Sequence, residues 1–228
     1  FKPKDIVSGD FYRVSGSVSK TARHSHYDTI LVAVCDCTGH WVPGAFMSLI
    51  GSNLIKEAVR INWHTKQPSL ILNTLNDLIC DTMLRGQEYI LSKFGMDISI
   101  AKIDTQKKEL QFAASHHSLF HIRGGELFEY KGDRITIGKK QNNGTGLFKD
   151  HIIPFQNEDT IYLSTDGYPD QLGGKVKAKF YKDSFRNLLS SIAPLPFEEQ
   201  KEKLSETHLK WKGNIPQTDD ILVIGLKL

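Results

Sequence analysis

The sequence predicts an α+β fold: an αββα sandwich in which two mainly antiparallel sheets pack face to face and a helix pair covers each outer face. Three observations predict it. Two amphipathic helical stretches stand together early in the chain, short β-rich runs spaced too closely for parallel crossovers fill the middle, and two more helical stretches precede a last apolar strand. The 228 residues, 39% of them hydrophobic, suffice for one sizeable core, so a single domain spanning 1–228 is expected.

"SGDFYRVSGSV" and "TILVAVCD" read as the first two strands, joined by the polar loop "SKTARHSHYD". Pro43, a good first-turn residue, then opens a helix in which Ala45, Phe46, Leu49, Ile50, Leu54, Ile55, Ala58 and Val59 recur at helical spacing. A second helix runs from Pro68 to about Arg85, with Leu72, Leu75, Ile79 and Met83 on one stripe. The period then falls to 2 through "MDISIAKID", "ELQFAAS", "SLFHIR", "ELFEYKG", "HIIPF" and "TIYLSTD". "GKKQNNGTGLFKD" reads as a loop, "FYKDSFRNLLSSI" and "PFEEQKEKLSETHLKWKG" as helices, and "DDILVIGLKL" as the closing strand.

A net charge of +3 with 24% charged residues lacks the basic excess of a nucleic-acid binder and the acidic run of a disordered chain. Three cysteines, Cys35, Cys37 and Cys80, make no disulfide framework and fit a cytoplasmic setting. No run is long enough to span a membrane, so no membrane contact is expected of this segment. The opening "FKPKDIVSGD" reads as that of an excised domain, expected to be the C-terminal part of a longer signalling protein with a sensor upstream, membrane-anchored in some arrangements. His24 and His26, in "HSH", read as a solvated hairpin tip rather than a metal site, and Lys175, Lys177 and Lys179 as a solvated charged loop.

The aspartates carry the chemistry. Asp10 heads the first strand, Asp36 ends the second, Asp166 ends "TIYLSTD", and Asp219 with Asp220 opens the last. Any one of them could simply shape a turn. In antiparallel neighbours, however, the end of one strand lies beside the start of the next, so all of them can gather at one edge of the sandwich. Carboxylates so gathered repel one another unless cations stand between them, and oxygen-only ligands suit Mg²⁺ or Mn²⁺. Two such ions can acidify a shared water for in-line attack on a phosphate ester, which needs no covalent nucleophile.

"DIVSGDFY", "DCTGHWVPGAFMS", "STDGYPDQLGG" and "QTDDILVIG", in this order and over nearly the whole chain, resemble the SpoIIE-type, RsbU-like branch of the metal-dependent PPM-type serine/threonine protein phosphatases. The resemblance implies the αββα sandwich, a centre of two Mn²⁺ or Mg²⁺ ions, and hydrolysis of phosphoserine or phosphothreonine on STAS-type anti-sigma-antagonist proteins of bacterial signalling. It assigns Asp10, Asp36, Asp166 and Asp219 as metal ligands, with the backbone carbonyl of Cys37 as a further donor; Asp36 and Asp166 act through the metal-activated water. Gly39 allows the turn after Asp36, and Gly167 keeps a side chain from the site. Asp220 either reaches a metal or serves the strand start. Homodimerisation through the first helix pair fits the family, and that pair adjoins Asp36, so its movement is a route to regulation.

Two stretches depart from the family pattern. Trp41 puts an indole at the metal mouth where "GHG" is usual, and "AASHHSL" brings His116 and His117 where amides are usual; they read first as satisfied or surface imidazoles and, as the alternative, as accessory groups for a metal or a phosphate. His40 keeps the family's position, where it orients the loop. The sequence thus leaves two readings, an active phosphatase or a weakened phosphatase-like domain that works as a regulated protein-binding module.

Overall fold

In the computed structural model, which describes residues 1–21, 24–37, 42–84, 95–138 and 148–228, the chain forms β1 (Phe11–Thr21), β2 (His24–Cys37), α1 (Val42–Ile61), α2 (Pro68–Leu84), β3 (Met96–Asp104), β4 (Glu109–Ala114), β5 (Ser118–Arg123), β6 (Glu126–Lys131), β7 (His151–Pro154) and β8 (Thr160–Ser164). A short α3 (Gly167–Asp170), β9 (Leu172–Gly173), β10 (Ala178–Lys179), α4 (Lys182–Ile192), α5 (Phe197–Lys212) and β11 (Val223–Lys227) complete it. One sheet has the order β1-β2-β3-β4-β7 and the other β11-β8-β5-β6, with β9 and β10 as a separate ribbon. Among the described residues every pair of named strands is antiparallel, as the short connections require.

Alternation along the strands fixes the layers. On β2, Leu31, Ala33, Cys35 and Cys37 pack with Met47, Ile55, Ile71, Leu72, Leu75 and Ile79 of the α1–α2 pair. Val32 and Val34 point the other way, into a core between the sheets that includes Ala101, Phe112, Leu119, Ile161 and Leu163. Beyond the second sheet, Phe120, Ile122 and Tyr162 meet Tyr168, Phe185, Leu189 and Ile192 under α4. Three apolar layers separate four layers of structure, which is the αββα sandwich.

Two details differ from expectation. The stretch read as the loop "SKTARHSHYD" is mostly ladder: β1 and β2 stay paired from Phe11↔Cys35 to Thr21↔His24, with a register shift at Ser17/Val18. Backbone pairing does not need an apolar pattern, and a bulge absorbs the register mismatch. The closing strand starts at Val223, not at Asp219; Ile221 instead bridges Lys2, and Leu222 pairs with Thr165. Part of the predicted loop "GKKQNNGTGLFKD", residues 139–147, lies outside the described residues, as does Arg85.

Candidate metal centre

One end of the sandwich is a row of acids. The last β1–β2 pair is Phe11↔Cys35, so Asp10 lies one residue beyond it, alongside Asp36. Asp36 in turn stands directly opposite Asp97 at the start of β3. Asp36 follows Val34 on the inter-sheet face, and Asp97 shares that face with Ser99 and Ala101. From the second sheet, Thr165 continues the inward alternation of Ile161 and Leu163, and its Oγ1 donates to Asp10 Oδ2 at 2.7 Å, joining the sheets through a hydrogen bond. Asp166 caps α3 with its backbone carbonyl, which accepts from the Asp170 N–H at 2.9 Å.

Mutual electrostatics show that these acids form one cluster. Burial first, then the charges of Asp10, Asp166, Asp219 and Asp97, push the Asp36 carboxyl up to about 9. Asp10, only 4% exposed, is pushed up to about 7 by burial and by Asp220, Asp219 and Asp166, against the opposing Thr165 hydrogen bond. Asp166 is raised by the protein around it and by Asp170, Asp219 and Asp97, with Lys179 opposing. A row of carboxyls that cannot all ionise is what a hard divalent cation would relieve, and every donor is oxygen. The cluster therefore fits Mn²⁺ or Mg²⁺ in charge and donor chemistry. Among the described residues, no three His, Cys, Asp or Glu side chains by themselves enclose a point suited to an ion. The acids share a field rather than a closed cage.

Asp219 and Asp220 part company. Asp219 Oδ1 accepts the Asp220 N–H at 2.8 Å while its charge reaches Asp36. Both oxygens of Asp220 are engaged elsewhere: Oδ1 accepts the Lys4 N–H at 2.7 Å and Oδ2 the Gly9 N–H at 2.8 Å. Gly167 clears the backbone rather than the acids, since a Cβ there would lie 1.8 Å from the Asp220 carbonyl oxygen. Cys37 ends β2 opposite Met96, and burial, followed by Asp36 and Asp10, pushes its thiol up. Cys35 is raised too, so both thiols stay protonated in the core.

His116 and His117 open β5's side of the site. His116 has a left-handed backbone (φ 56°), is exposed, and shares a hydrogen bond of 3.3 Å with Thr136. His117 is buried, its Nδ1 has no partner, and burial, then Lys182 and His116, hold its imidazole down to about 3. Gly39, His40 and Trp41 lie outside the described residues; His24 and His26 stand on β2.

Sequence reasoning missed Asp97, read only as part of a strand. The usable signal was an acid at the head of an otherwise apolar inward face, in a strand that pairs with the one ending at Asp36. It also missed Gln171, which is fully buried. Its Nε2 donates to the carbonyls of Leu172 (2.9 Å) and Pro216 (3.1 Å), and its Oε1 accepts the Thr218 N–H at 3.1 Å. One side chain thereby fastens the segment leading to Asp219 onto the turn that follows Asp166.

Comparison with known proteins agrees with this fold. The family model for stage II sporulation protein E (SpoIIE) matches residues 26–228. The SiaA-PP2C domain of Pseudomonas aeruginosa is 31% identical, with a TM-score of 0.84, over 100% of this chain and 83% of that one. The PP2C phosphatase domain of SpoIIE from Bacillus subtilis, solved with a fragment of its regulatory domain, is 17% identical (TM-score 0.71; 100% of this chain, 60% of that one). RsbX, solved in complex with magnesium, is 16% identical (TM-score 0.58; 99% and 90%). Curated protein sequences give no match. The chain belongs to the SpoIIE family, a branch of the PPM-type (PP2C) protein phosphatases.

Proposed function

We propose that this domain is a protein serine/threonine phosphatase that uses two Mn²⁺ or Mg²⁺ ions to hydrolyse phosphoserine or phosphothreonine on a signalling protein, a STAS-type anti-sigma antagonist being the family's usual substrate. The observation that carries it is the meeting of Asp10, Asp36, Asp97, Asp166 and Asp219 from both sheets in one electrostatic field. RsbX, solved with magnesium, supports the choice of ion.

In this reading Asp10, Asp36, Asp166 and Asp219 hold the metals, with the Cys37 carbonyl as a further donor and Asp97 as an addition to the set. Bound there, the ions supply an acidified water and a positive anchor for the phosphoryl oxygens. The chain's own part is positional. Thr165 orients the Asp10 carboxylate, Ser115 Oγ donates to Asp97 Oδ1 at 2.8 Å, and the Asp220 N–H fixes Asp219. These carboxylates need not reorganise as charge builds on the phosphoryl group.

Phosphate release from a phosphorylated STAS-type protein, with and without Mn²⁺, tests the proposal. Activity that depends on metal and falls at least a hundredfold in Asp36→Asn and Asp166→Asn is expected. Metal-independent hydrolysis, or full activity in those variants, refutes it.

A further inference from the structure

Beside the acids lies a cavity of about 250 Å³. Its lining brings the acids Asp97, Asp166 and Asp170 together with the bases His116, His117 and Lys182. The acids are already engaged. Asp97 accepts from Ser115, Asp166 belongs to the cluster, and Asp170 pairs with Lys179 at 2.7 Å.

Of the bases, His116 shares its hydrogen bond with Thr136, while Lys182 and His117 line the cavity without an ion pair or cap among the described residues. Lys182 is the first residue of α4, whose N-cap residue Tyr181 makes no side-chain cap hydrogen bond. Its ammonium is exposed and close enough to His117 to bear on that imidazole. His117 is 7% exposed, and its Nδ1 lacks a hydrogen-bond partner. Buried polar groups are normally paired, and orphans concentrate where a ligand completes them. A lysine, a helix start whose N-cap makes no side-chain bond and a buried imidazole with one unpaired nitrogen line one space, and all three favour an anion. A phosphate monoester fits this polarity. Its dianion needs positive partners on both sides, and metals at the acids would provide only one.

We propose that the cavity between β5 and α4 is the phosphoryl-binding subsite, with Lys182 and His117 as positioning residues for the phosphoryl oxygens that face away from the acidic cluster. This deepens the proposed function and rests on it. Neutral His117 contributes an N–H and Lys182 the charge, so the pair recognises a phosphate group without competing with the metals for ligands.

Titrating inorganic phosphate into the Mg²⁺-loaded protein, followed by the ³¹P resonance, tests this without any turnover. Lys182→Ala and His117→Gln are each expected to weaken phosphate binding about tenfold, while Lys182→Arg retains most of it and calorimetric Mg²⁺ affinity stays unchanged. Unchanged phosphate affinity in both variants overturns the proposal. So does a loss of phosphate affinity that only follows a loss of Mg²⁺ affinity, or a wild-type protein that binds Mg²⁺ but no phosphate. If His117→Gln unfolds, as thermal melting would reveal, exposed Lys182 decides alone. A protein that binds phosphate through Lys182 yet hydrolyses no phosphoprotein refutes the phosphatase reading and keeps the subsite.

Discussion

Asp36 of β2 and Asp97 of β3 are direct cross-strand partners on the inner face of the first sheet. Two carboxyls so placed cannot both ionise without destabilising the sheet, and here Asp10, Asp166 and Asp219 add to the cost of charging Asp36. The arrangement opposes folding on its own and favours it with a cation. Asp97→Asn is therefore expected to act with opposite signs in two states. Without metal it raises stability by about 0.5–1 kcal/mol, and with Mn²⁺ it weakens metal binding about tenfold or more. Thermal melts with and without chelator, alongside calorimetric titration of Mn²⁺, check both. A destabilised metal-free variant contradicts the repulsion argument.

Gly167 answers to backbone crowding. A methyl there meets the Asp220 carbonyl oxygen at 1.8 Å, a contact no rotamer relieves. Gly167→Ala should cost more than about 2 kcal/mol and push the turn bearing Asp219 out of place. Urea denaturation reads the first effect and Mn²⁺ affinity the second, so the variant should lose both together.

Gln171→Leu keeps the volume but removes every hydrogen bond of the buried amide. Leaving the Pro216 and Leu172 carbonyls and the Thr218 N–H unpaired should cost about 3 kcal/mol. Because the same amide fastens the segment before Asp219, metal affinity falls as well. Denaturation and calorimetry on the one variant separate the two losses.

His208 sets a pH dependence. Burial first, then Lys2 and Lys212, hold its imidazole down to about 4, and its Nε2 lies 3.2 Å from Gln171 Oε1. Below about 6.5 the unfolded chain takes up a proton that the folded one refuses. Stability is thus lost as pH falls from about 6.5 to about 4, by up to about 1.4 kcal/mol per pH unit for this group. His117, held down to about 3, adds a second such group. Asp10 and Asp36, raised to about 7 and about 9, favour the folded chain over the same range, so the difference carries the test: the urea midpoint of the wild type relative to His208→Gln should fall from pH 7 through 5.5 to 4.5, and a difference that does not change with pH excludes His208 as a source.

The layers were legible because alternation and helical spacing report which face of an element is apolar, and β2 displays both faces in eight residues, Ile30 to Cys37. Strand ends were legible where an acid closed an apolar run, as at Asp36 and Asp166. Asp97 was not, since a single charge at a strand head reads as solvation until the register sets it opposite Asp36. Asp220 stayed open in the sequence between a metal and the strand start, because what engages its carboxylate, the N–H groups of Lys4 and Gly9, lies at the far end of the chain. Such long-range partnerships leave no local periodicity. The role of Gly167 also depends on a neighbour more than fifty positions away.

That same Asp220 carboxylate reaches back across 216 positions to Lys4, and the backbone of Ile221 pairs with Lys2. Asp10 follows directly on the segment so held, and Asp219 directly precedes the residue that holds it. During synthesis, then, the acidic cluster cannot close until the final strand has left the ribosome. A chain stopped before Asp219 would carry both sheets' inner strands and still lack that acid and the tie to Lys4.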